Sequence, residues 1–185
     1  MKKRMQPYNL FIVAFFFLYS NPIFCQKEIR VIESNKLEQI KINDTIFQKF
    51  CGDVMIEYSD LMIQCDTIML DEFKDNIIGW GNVSFFNDTL KCSSDSIQIY
   101  QHDNNIMFYQ NSNINTDNIA INGNQIQYNF EQEIINYWSG GNVISNNNNI
   151  SSGELIYHIQ DDQFIFSHNI RLLNEDFTIK TEHMT

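Results

Sequence analysis

Seven side chains in this sequence could ligate a metal or attack a substrate: His102, His158, His168 and His183, with Cys51, Cys65 and Cys92. No two of the histidines share the close spacing that places ligands on one face of a strand or helix, and three scattered thiols form no metal motif. Asp95, Asp103, Asp161 and Asp162 offer the carboxylates that a polysaccharide-cleaving β-helix enzyme would pair. They fall, however, on turns or at recurring structural positions. Phosphate-cradling glycine loops, nucleophile elbows and Walker patterns are missing from the sequence. The expectation is a protein that is not an enzyme, with no catalytic residue, no metal ligand and no cofactor.

What recurs instead is apolar. Gly52-Asp53-Val54, Gly81-Asn82-Val83, Ser112-Asn113-Ile114, Gly141-Asn142-Val143 and His168-Asn169-Ile170 follow one another at intervals of 29, 31, 29 and 27 residues. A second column, Ile68, Ile97, Ile126 and Leu155, keeps a constant interval of 29. Two residues beyond it come Leu70, Ile99, Tyr128 and Tyr157, and five before it Ile63, Cys92, Ile121 and Ile150. Ile77, Phe108, Tyr137 and Phe164 form a further column before the Gly-Asn-Val triplets. A period of about 20–50 residues marks stacked units, none of which buries its apolar face alone.

Each unit reads as two strands. Val54, Ile56 and Tyr58 alternate with polar residues, Ser59-Asp60 turns the chain, and Leu61, Ile63 and Cys65 return; Val83 and Phe85, Asn87-Asp88, Leu90 and Cys92 repeat the hairpin. Thr116-Asp117 and the run Asn146 to Asn149 turn the later copies. The opposite ends turn at Glu72-Phe73-Lys74-Asp75, His102 to Asn105, Phe130 to Glu133 and Gln160 to Gln163, and Ser93-Ser94 or Gly123 breaks the face parity in mid-strand. Stacked, such units give an all-β antiparallel sheet folded over on itself, with one apolar lining and a polar outside. The chain stops after Leu172 to Lys180 have begun a last, incomplete repeat, whose edge strand is a template for pairing.

The N-terminal segment, residues 1–25, has the layout of an export signal: Lys2-Lys3-Arg4, an apolar run from Leu10 to Leu18, and Cys25-Gln26, near which cleavage is expected. An uncleaved membrane anchor is the alternative. Residues 26–49 are a lead-in and a possible degenerate first repeat, and residues 50–185 form the repeat domain. The net charge of −11 becomes −14 without Lys2, Lys3 and Arg4, and such a surface disfavours nucleic acid. Cys92 falls in an apolar column and reads as a small buried hydrophobe. A Cys65 to Cys92 bridge stays open in an oxidising compartment.

An export signal followed by Gly-Asn-Val units, with Cys65-Asp66-Thr67-Ile68, Ser94-Asp95-Ser96-Ile97 and Gly123-Asn124-Gln125-Ile126 between them, resembles the OstA/LptA family of periplasmic lipopolysaccharide-transport proteins. The resemblance covers about Phe50 to Met184 and rests on the order and spacing of individually weak motifs. It implies an open, twisted antiparallel β-jellyroll whose groove holds acyl chains. It also implies lipopolysaccharide or a related lipid as cargo, and like jellyroll domains as partners through edge strands: the chain itself, an inner-membrane exporter component and an outer-membrane insertion component. The groove lining is then expected from Val54, Ile56, Ile63, Ile68, Leu70, Ile77, Val83, Phe85, Ile97, Ile99, Phe108, Ile114, Ile121, Ile126, Tyr128, Tyr137, Val143, Ile150, Leu155, Tyr157 and Phe164. The same columns also suit a scaffold or adhesive filament with a dry core.

Overall fold

Alternation of apolar and polar residues, interrupted once per strand, builds the whole of the described chain in this computed structural model, which describes residues 29–71 and 76–185. The N-terminal signal and the turn expected at Glu72 to Asp75 lie outside those residues. Fourteen strands follow in order: β1 (Ile29–Glu33), β2 (Lys36–Ile42), β3 (Thr45–Tyr58), β4 (Leu61–Asp71), β5 (Asn76–Phe86), β6 (Lys91–Tyr100), β7 (Asn105–Asn115), β8 (Ile119–Asn129), β9 (Ile134–Tyr137), β10 (Gly141–Ser145), β11 (Asn148–Ser152), β12 (Glu154–His158), β13 (Gln163–Leu173) and β14 (Thr178–Met184). They form one sheet in which the pairings are antiparallel and nearly all join neighbours in sequence. Among the described residues there is no helix. The all-β antiparallel expectation holds.

The hairpins close with side-chain help. Asn87 Oδ1 accepts the backbone N–H groups of Thr89 and Leu90 at 2.9 and 2.7 Å, and Asn129 Oδ1 accepts those of Glu131 and Gln132 at 3.2 and 2.8 Å. At the other end of the repeat, Asn104, Glu133 and Asp162 take φ values of 54°, 53° and 50°, the left-handed residue that ends a short antiparallel turn.

Each long strand kinks in the middle. Gly52 and Asp53 have φ of 79° and 46°, Gly81 and Asn82 79° and 49°, Gln110 and Asn111 61° and 49°, and His168 and Asn169 65° and 53°. The pair lies opposite one residue of the next strand, so that Cys51 faces Thr67 and Val54 faces Cys65 with only Asp66 between. The same two-against-one bulge recurs between β5 and β6, β7 and β8, and β13 and β14. Bulges stacked in line fold the sheet into two limbs. Limb A holds the part of each strand near Phe50, Ile68 and Phe108, and limb B the part near Ile56, Ile63 and Phe85.

This corrects the alignment of the repeats. The kink of the third copy is at Gln110-Asn111 and not at Ser112-Asn113, and that of the fourth is at Gly140, ahead of Gly141-Asn142. Gly52, Gly81, Gln110 and His168 then fall on one 29-residue frame, with Ser139 just before Gly140 completing it. The Asn-Val and Asn-Ile dipeptides of the third and fourth copies stand two residues too late because the bulge selects a backbone conformation, for which Gln110 serves as Gly81 does.

The two limbs face one another. Phe85 of limb B meets Phe108 and Tyr128 of limb A edge-on, with ring centroids 5.6 and 6.2 Å apart. At the free margin, Tyr58 of limb B stands at 89° against Phe130 of limb A, 5.8 Å between centroids. The core is the space they enclose.

Candidate functional site

The expected lining residues come together in this interior. All of them except Ile150 and Phe164 are buried, and those two are half-buried and packed against the rest. From Val54 to Ile126 the columns fill the space between the limbs with their own side chains. The frame of 29 also brings in residues not anticipated as lining: Phe50, Ile106, Ile135, Phe166 and Ile170 along the strands, and Leu61, Leu90 and Ile119 beside the turns. Phe50, Phe108, Tyr137 and Phe166 stand at multiples of 29 from one another, and that spacing was the available signal.

The interior opens at its C-terminal end. β14 pairs along limb B and reaches limb A only at Phe166 and Ser167, so Phe164 lacks the strand that covers its equivalent Ile77. The result is a cleft of about 680 Å³ lined by Ile150, Phe164, Phe166, Leu172 and Met184, with Asp161, Asp162 and Gln163 on its rim. Tyr157, Phe164 and Phe166 form a stack behind it, with centroids 4.1 and 5.7 Å apart and planes within 9°. A second opening of about 510 Å³ lies along the seam, between the limb B turns at Asp88 to Leu90 and Thr116 to Ile119 and the limb A residues Tyr157 to Phe164.

Polar groups inside are paired locally. Tyr137 Oη and Ser152 Oγ share a hydrogen bond of 2.7 Å, and Tyr157 Oη donates to Asp162 Oδ1 at 3.0 Å. Burial and that bond push the Tyr157 phenol up to about 12, so it stays a neutral donor. Opposite the bulges, Cys65 Sγ donates to the Thr67 carbonyl at 3.2 Å, Ser94 Oγ to that of Ser96 at 2.9 Å, and Ser152 Oγ to that of Glu154 at 2.8 Å. These three small side chains, 29 or 58 residues apart, serve the same irregular stretch of backbone.

Cys51, Cys65 and Cys92 are free thiols, with Cys65 on β4 and Cys92 on β6 separated by β5. Burial alone pushes the Cys92 thiol up, as suits a small hydrophobe. Among the described residues no three of His, Cys, Asp and Glu are placed to hold a metal ion. The structure does bring His168 and His183 together, ring centroids 6.2 Å apart, with Glu154 3.6 Å from His168, all on the exposed outer surface. Asp95 accepts a hydrogen bond from Asn111 at 2.8 Å as Asp66 does from Asn82 at 3.0 Å, so both acids fasten a bulge. Trp80 and Trp138 are on the outside of the sheet beside the kink, Trp80 under the Lys49 ammonium.

Comparison with known proteins agrees with this architecture. The family described as OstA-like protein matches residues 26–182. No curated protein matches the sequence. Among solved structures, the chain is similar to LptH, the LptA-homologous periplasmic component of the lipopolysaccharide transport device of Pseudomonas aeruginosa. The two are 16% identical, with a TM-score of 0.52 over 59% of this chain and 80% of that one. That likeness concerns the fold, a β-jellyroll.

Proposed function

The chain belongs to the OstA-like family, and from that premise we propose that it is a periplasmic lipid-binding bridge, carrying lipopolysaccharide from an inner-membrane exporter toward an outer-membrane insertion complex. Acyl chains occupy the interior between the limbs, and like jellyroll domains pair with its edge strands. The supporting observation is the continuous apolar interior, assembled from every repeat and open at the Phe164 mouth and along the seam. An acyl chain of about a dozen CH₂ groups costs on the order of 10 kcal/mol in water. An apolar path removes that cost without any catalytic group. The acidic rim at Asp161 and Asp162 keeps anionic headgroups outside.

A second reading, a scaffold with a dry core, is favoured by the complete burial of Ile56, Ile63, Phe85 and Phe108. Photo-crosslinking decides between them. A photoreactive phenylalanine at Phe164 or Phe108 should capture lipopolysaccharide in cells, while the same residue at Trp80, on the outer face, should not. Capture at no interior position supports the scaffold.

A further inference from the structure

The edge offered by β14 is one of two kinds of strand in this fold. One kind carries the adjacent left-handed pair: β3, β5, β7 and β13. The other, represented by β4, β6 and β8, places a single residue opposite that pair. In β4 and β6 this residue is Asp66 or Asp95, and it receives the side-chain amide of Asn82 or Asn111 from the kinked strand that follows. β14 is of the second kind. Glu182 stands on the 29-residue frame of Asp66 and Asp95, opposite the pair His168-Asn169, and Thr181 on that of Cys65 and Ser94. Glu182 accepts the Asn169 backbone N–H from β13, at 3.3 Å.

The apolar columns give the same answer. Leu61 and Ile63 of β4 are 1% and 0% exposed, whereas their equivalents at the last edge, Phe177 and Ile179, are 49% and 43% exposed. In β4 and β6 those positions are covered by the kinked strand that follows. The turn before them is built alike: the Asn174 N–H donates to the Phe177 carbonyl at 3.0 Å as that of Asn87 does to Leu90. At the N-terminal end, Asn35 faces the Gly52-Asp53 kink as Asp66 does, and β1 and β2 run antiparallel to β3. The two described edges are therefore of the same kind, and neither offers a kinked strand to a second copy.

We propose that β14 receives, in antiparallel register, a kinked edge strand of another polypeptide: two adjacent residues that tolerate the left-handed conformation, such as Gly-Asn, flanked by alternating apolar residues. The incoming asparagine donates to Glu182, and the apolar residues cover Phe177 and Ile179. The inference rests on the bridge reading only for the existence of a partner at this edge.

The test uses the full chain and a soluble, labelled peptide copying β5 (Asn76–Phe86), with a copy of β6 (Lys91–Tyr100) as control. The β5 peptide should bind saturably and slow hydrogen exchange at Thr178–Met184. It should bind roughly tenfold more weakly to the Glu182→Ala chain, the loss of one charge-assisted hydrogen bond, with Glu182→Gln between them. Thermal unfolding of both variants checks that they fold. Equal binding of the β6 peptide, indifference to Glu182, or protection confined to strands other than β14 would overturn the proposal. Lipopolysaccharide binding, measured separately, is expected to persist in Glu182→Ala, so a failure at the edge is told apart from a failure of the transport reading.

Discussion

Ser112 occupies the place after the kink that Val54, Val83 and Ile170 fill in other copies, is 2% exposed, and its Oγ has no hydrogen-bond partner. A buried hydroxyl without a partner costs about 1–3 kcal/mol, so Ser112→Val should stabilise the chain by about 1–2 kcal/mol. Urea titration with an unchanged slope measures it; a lower midpoint would mean that the site has no room for the second methyl. Cys65 carries a different prediction. Its thiol is pushed from the ordinary 9.0 to about 11, chiefly by burial. Between those values the unfolded chain binds fewer protons than the folded one, so stability falls as pH rises. Cys65→Ser keeps a donor for the Thr67 carbonyl, as Ser94 and Ser152 do for theirs. It should match the parent at pH 7.5 and lose less stability by pH 10.5, by on the order of 1–2 kcal/mol. Parallel losses in the two proteins would refute this.

At the scale of the element, the strands were legible and the kinks were not. The period of Ile68, Ile97, Ile126 and Leu155 comes through because the core demands one chemical type at one spacing, and alternation around Ser59-Asp60 and Asn87-Asp88 fixes the hairpins. The bulge demands a sign of φ, which Gly52, Gly81, Gln110 and His168 all supply, so no letter marks it. A left-handed conformation costs a non-glycine residue roughly 1–2 kcal/mol, against about 0.5–1 kcal/mol of glycine's extra backbone entropy. Gln110→Gly should therefore raise the melting temperature slightly. Gly81→Ala should lower stability by about 2 kcal/mol or more, since the new Cβ would also lie 2.3 Å from the Asp66 carboxylate. Calorimetry of the pair checks the order; a destabilised Gln110→Gly would show that its side chain, and not its backbone, is what the third kink needs.

For the whole molecule, the sequence placed the apolar columns on one side of a folded sheet, but it could not say how far apart the limbs stand, because a filled core and an open trough use the same residues. The structure has the limbs in contact over the middle of the stack, through Phe85 with Phe108 and Tyr58 with Phe130, and apart only at the C-terminal mouth and along the later seam. Under the transport reading, an acyl chain passing beyond the mouth must part the limbs and replace side-chain contacts by contacts with itself, an exchange of apolar surface for apolar surface that costs little beyond ordering. The margin at Tyr58 and Phe130 is then where the molecule has to open. In a Cys51→Ser background, Tyr58→Cys with Phe130→Cys places one thiol on each limb, and a short bis-maleimide ties the margins together. The tied protein should bind lipopolysaccharide at least tenfold more weakly than the same variant capped with a monofunctional maleimide, with both folded by circular dichroism. Equal binding would mean that lipid never passes between the limbs and is held at the Phe164 mouth alone.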